Sequence, residues 1–185
     1  MKWKIIIPVA VMALVAAGGI ALSQANAPAG TAASTSATSS VLPVADNPIT
    51  NTSTTPGLTI VSAAAEDNVD PTSGAPIADR LQITIGNTTG NALANLETYY
   101  VMTDVTTGAS ESYYLPLTGL TVAPNSESTI SIDNETGAGH YPENTFSLYR
   151  SSSNQVDFTI QVSAVGVQIA HGVATKGAGT GEQVD

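Results

Sequence analysis

Beyond Leu58 the hydrophobic and polar positions alternate in short runs. Leu81-Gln82-Ile83-Thr84-Ile85 sets three aliphatic side chains on one face of an extended segment and Gln and Thr on the other. Thr129-Ile130-Ser131-Ile132 repeats the pattern after a turn at Pro124-Asn125, and Val156 to Val162 repeats it again. Leu58–Val61, Leu96–Val105, Ser112–Leu115, Phe146–Tyr149 and Val167–Ala174 complete seven or eight predicted strands, with Ser151–Asn154 as a hairpin loop. No segment beyond residue 25 has helical spacing. One-sided alternation belongs to antiparallel sheets with one buried and one wet face. For a domain of roughly 120 residues, the economical arrangement is two such sheets packed face to face. The predicted core is Leu81, Ile83, Ile85, Ile130, Ile132, Phe158, Ile160 and Val162.

A different pattern opens the chain. Met1-Lys2-Trp3-Lys4 precedes an uncharged apolar run from Ile5 to Leu22, long enough to span a bilayer as a helix. Lys2 and Lys4 place the N-terminus in the cytoplasm and everything after the run outside. Ser23-Gln24-Ala25 supplies small residues for a cleavage before Asn26. Residues 1–25 are therefore either a signal peptide or a membrane anchor through residues 5–22. The rest is extracytoplasmic, as a single-pass cell-membrane protein with its C-terminal domain outside or as a secreted one. Residues 26–57, dominated by Ser, Thr, Ala and Pro, read as a disordered linker or stalk. Residues 58–175 read as an all-β, immunoglobulin-like (Ig-like) antiparallel β-sandwich of 7–8 strands, with a jelly roll or small barrel as the alternative. Residues 176–185 read as a disordered tail.

Charge and cysteine content narrow the classes. All 15 acidic residues lie beyond residue 45, against Arg80, Arg150 and Lys176 after the leader, so the exported part has a formal charge of −12. Such a surface repels phosphate backbones, which argues against nucleic acid as a partner. The absence of cysteine excludes disulfides, thiol nucleophiles and Cys-ligated metals, so the core alone must hold the fold.

Several clusters could carry chemistry. Glu66, Asp67 and Asp70 gather oxygen ligands in one loop, as weak calcium sites do, although the spacing is not that of an EF-hand. Calcium there is the only cofactor the sequence suggests. Tyr99-Tyr100 and Tyr113-Tyr114 flank a turn at Gly108, so one tyrosine of each pair should face outward as a cross-strand platform for a carbohydrate or protein partner. His140 and Glu143 share a loop with Asp133 and Glu135 just upstream, a set that could bind a metal or act as acid and base. His171 reads as an ordinary strand residue. Leu115-Pro116-Leu117-Thr118-Gly119 has the letters of a sortase signal but reads as a strand end and turn, because more strands follow. Asn51, Asn87 and Asn134 head N-glycosylation sequons. No catalytic serine motif or phosphate-binding loop occurs.

The leader, the Ser/Thr-rich stretch and the run Leu81-Gln-Ile-Thr-Ile-Gly-Asn-Thr-Thr-Gly-Asn-Ala-Leu together resemble the surface-exposed Ig-like modules of bacteria and archaea. The resemblance covers about residues 57–175. It implies a sandwich with an adhesive or spacer role and carries over no catalytic residue. The expected function is a non-enzymatic binding or structural module at the cell surface. A subunit of a pilin- or archaellum-like surface filament is a second class, although Lys4-Ile5 lacks the processing signal of such proteins. A small secreted hydrolase built on His140 and Glu143 is a third.

Overall fold

The computed structural model describes residues 41–66 and 80–179. Their strands are β1 (Leu58–Glu66), β2 (Arg80–Asn87), β3 (Leu93–Ala94), β4 (Glu97–Asp104), β5 (Ser110–Pro116), β6 (Thr121–Val122), β7 (Ser126–Ile132), β8 (His140–Tyr141), β9 (Val156–Ser163) and β10 (Ala170–Lys176). A one-turn helix α1 (Leu148–Ser151) precedes β9. One sheet has the order β1-β2-β7-β8, the other β10-β9-β4-β5, and β3 pairs with β6. All pairs are antiparallel except β7–β8. The order β1-β2-β7 against β10-β9-β4-β5 corresponds to strands A-B-E against G-F-C-C′ of an Ig sandwich.

Alternation explains the packing. Ile83 and Ile85 of β2 meet Ile130 and Ile132 of β7 with Tyr100, Met102, Tyr113, Phe158, Ile160 and Val162 from the facing sheet in one buried cluster. All eight predicted core residues belong to it. Each such side chain contributes roughly 1.5–3 kcal/mol by leaving water. Tyr100 stacks on Tyr113 with ring centroids 5.4 Å apart, and Tyr149 meets Phe158 edge-on at 5.7 Å.

Four expectations need revision. Residues 41–57 are not loose stalk. Val44 N–H donates to Ser112 O (2.8 Å), Asn47 Nδ2 to Gln161 Oε1 (2.9 Å), and Gln168 N–H to Thr55 O (2.7 Å). Asn51 Nδ2 donates to Ser163 Oγ, Ala164 O and Val167 O. Because β4 lies between β5 and β9, this segment crosses the outer face of that sheet. At the other end, the predicted tail begins inside the fold: Lys176 is buried in β10, its ammonium donates to Ser152 O, and Gly179 N–H donates to Ser153 O.

Phe146–Tyr149 is a turn and α1 rather than a strand. Asn144 Oδ1 accepts Phe146 N–H, and Ser147 O accepts the N–H groups of Arg150 and Ser151, which winds the chain before an extended partner can form. Phe146 is left 85% exposed while Tyr149 is buried. Finally, the Asn87 sequon is occupied internally. Its buried Nδ2 donates to Asn91 O, Val122 O and Ala123 O. No helix among the described residues is long and apolar enough to cross a membrane, and the leader lies outside them.

Candidate functional site

Apolar Ile132 ends β7 in the core, and the next seven residues turn back to lay β8 parallel on the same strand. Asp133 is the first of them. Its Oδ1 accepts Glu135 N–H (3.0 Å), and Asn134 turns the chain at φ 61°, a conformation Asn tolerates. Gly139, at φ 86°, completes the return. A Cβ there would lie 2.8 Å from Thr129 O, so only glycine lets the loop close this tightly. Ser131 N–H then donates to Gly139 O (2.8 Å), setting His140 opposite Ser131.

The return brings three ligating groups together. His140 Nδ1 stands 2.9 and 3.1 Å from the two oxygens of Asp133 and 3.7 Å from Glu135 Oε2. One ligand atom from each residue lies within 4.8 Å of the others. The Asp133 side chain is fully inaccessible, that of His140 is 28% exposed and that of Glu135 is 52% exposed. The group is thus rooted in the fold and open on one side.

Glu143 is not part of it. Its carboxylate pairs with the Arg150 guanidinium, with Arg150 Nε donating to Oε2 at 3.0 Å, and Arg150 in turn lies over the Tyr149 ring. The sequence placed His140 and Glu143 in one loop, whereas the fold gives them different partners.

The tyrosines divide as strand alternation requires. Tyr99 faces Tyr114 across β4–β5, and Tyr100 faces Tyr113. Tyr100 and Tyr113 point inward, which removes them as binding residues. Burial, reinforced by nearby Tyr113, Glu143 and Glu111, pushes the Tyr100 phenol up. Tyr113 is pushed up by burial and by donating to Glu111 Oε2. Tyr99 and Tyr114 are half-buried on the outer face, in a row with Gln161 and exposed His171. Tyr114 OH donates to Glu97 Oε2 (2.8 Å), which raises its pKa. Tyr114, Glu97, Asn95, Pro116 and Thr118 line an open cleft of about 400 Å³. Of the acidic loop, Glu66 ends β1, while Asp67 and Asp70 lie outside the described residues.

Sequence reading passed over Asp104. Buried at the end of β4, its carboxylate accepts the N–H groups of Thr106 and Thr107, the Ser152 hydroxyl and the Asn154 amide. These donors, Ser152 foremost, hold its carboxyl well below the usual range. The run Asp104-Val105-Thr106-Thr107-Gly108 carried half the signal, since Asp ahead of such a turn caps its N–H groups.

No family model matches the chain, and no curated protein matches it in sequence. Among solved structures, it is similar to a β-glucosidase involved in saponin metabolism from intestinal bacteria. The TM-score is 0.28 and the identity 16%, over 65% of this chain and 15% of that one. The chain therefore spans about one-seventh of that enzyme's length, and a likeness this slight carries nothing about activity.

Proposed function

We propose that the protein is a non-enzymatic, extracytoplasmic binding or structural module, akin to prokaryotic cell-surface Ig-like domains. It is held to the cell by residues 5–22 or released after cleavage at Ala25. The observation that carries the reading is the order of parts along the chain. A dibasic start and an apolar run lead through a polar segment into a cysteine-free sandwich with A-B-E/G-F-C-C′ strand order. The pairing of Glu143 with Arg150 weighs against the particular His140–Glu143 pair of the hydrolase alternative, although Asp133 and Glu135 stand beside His140. The Tyr114–Glu97 cleft is the place for a protein or carbohydrate partner, with an aromatic surface beside hydrogen-bonding groups.

Intact mass of the protein from fractionated cells tests this. A chain beginning at Asn26 in the medium supports the secreted form, and an uncut chain in the membrane fraction supports the anchored form. Recovery of the uncut chain in the cytosol would overturn export altogether.

A further inference from the structure

We propose that Asp133, Glu135 and His140 form a binding site for one divalent transition-metal ion of the zinc, manganese or cobalt class. This goes beyond the tethered-module reading and does not depend on it. Zinc, as an example, sits about 2.0–2.2 Å from imidazole nitrogen and carboxylate oxygen, so ligand atoms sharing one ion stand roughly 3–4 Å apart. Of the observed separations from His140 Nδ1, 3.7 Å to Glu135 falls in that range and 2.9 Å to Asp133 lies just below it. An ion would therefore need only small side-chain movements to enter.

The donor set selects the class of ion. One imidazole and two carboxylates suit zinc, manganese and cobalt, whereas calcium prefers six to eight oxygens and gains nothing from nitrogen. Charge suits any dication: a ligating imidazole is neutral, so the two carboxylates give the trio two negative charges that the ion balances. Exposure supplies the rest: buried Asp133 fixes one ligand, while the open side at Glu135 leaves room for water to complete the coordination. The ion would fasten the 133–140 loop to the β7–β8 edge, a cross-link in a chain that has no disulfides.

The test uses the full-length, chelator-treated chain in detergent, titrated with Zn²⁺, Mn²⁺ and Ca²⁺ by calorimetry and NMR. Saturable Zn²⁺ binding is expected to be tighter than that of Ca²⁺. Mn²⁺ should broaden the His140 ring signals and leave His171, the other of the two histidines, sharp. Both His140→Asn and Glu135→Gln should weaken Zn²⁺ binding at least tenfold. Glu135 is exposed enough that its variant keeps the fold, so it decides the matter if the His140 variant does not. Equal broadening of both histidines, tighter Ca²⁺ than Zn²⁺, or unchanged Zn²⁺ affinity in Glu135→Gln would overturn the site.

Discussion

Asp104 and Asp133 are both aspartates at the end of a core strand, and both are nearly inaccessible, at 3% and 8%. Their surroundings are opposite. Among the described residues Asp104 meets only donors: two backbone N–H groups, a hydroxyl and an amide, from the β4–β5 turn and the segment after α1. Asp133 meets one backbone N–H and an imidazole, with a second carboxylate against the same ring nitrogen. A buried carboxylate supplied with donors is already satisfied and works as a staple. Among the described residues Asp133 has one side-chain donor, shared with a second carboxylate, and so keeps an attraction for positive charge. The character of the neighbours, more than burial or residue type, separates the structural aspartate from the candidate ligand.

Substituting the first aspartate should have the largest effect. Asp104→Ala leaves the Ser152 hydroxyl, the Asn154 amide and two N–H groups without their acceptor. Thermal melting should show a greater fall in Tm than Asp133→Ala gives in chelator. If the two falls were equal, the contrast would fail. The acid limb sharpens the same point. The folded pKa of Asp104 is lowered, so its stabilisation is fully present above about pH 3.9, the ordinary aspartate value. It is lost as pH falls from there through the folded value. In Asp104→Asn this part of the acid dependence should vanish from unfolding curves.

Gly139→Ala comes next. A non-glycine residue at φ 86°, with its Cβ on Thr129 O, should cost about 1–3 kcal/mol by denaturant unfolding. It should also loosen His140 from Asp133. Asn51→Ala asks whether wiring of the Asp104 kind extends to the N-terminal segment. Losing three acceptor contacts should cost about 1 kcal/mol and open residues 41–57 to limited proteolysis. The smallest change belongs to Glu135→Gln in chelator, within about 0.5 kcal/mol of the parent, because that side chain is half in solvent.

The sheets were legible because a period of two survives in the residues themselves: Leu81, Ile83 and Ile85 declare their face without reference to any partner. The tyrosine pairs were half legible. Alternation required one inward ring from each pair, but which one followed only from register. Asp104 was hidden because Ser152 and Asn154 lie 48 and 50 residues further along the chain. Residues 41–57 misled for a related reason. A polar, proline-bearing stretch has no apolar face to declare, yet Asn51 docks it through backbone carbonyls of a distant loop. At Phe146 an aromatic run suggested a strand, whereas Asn144 and Ser147 captured nearby N–H groups and wound the chain. Of the candidate site, the loop composition was visible and the pairing was not: His140 took Asp133 and Glu135, while Glu143 went to Arg150.

The segment laid across the outer face has a mechanical meaning. If the chain is held by its N-terminus, load enters at Val44 and reaches β1 only after passing Asn47, Asn51 and Thr55. These attachments are few and lie one after another, so they should peel singly instead of shearing together. Freeing residues 41–57 would release about 55 Å of contour at roughly 3.3 Å per residue. The tether would lengthen by that contour less the distance the segment already spans, with both sheets still closed. Single-molecule pulling would record this as a low-force extension before the sandwich opens. The strap would then serve as a reserve of slack that protects the fold from sudden tension.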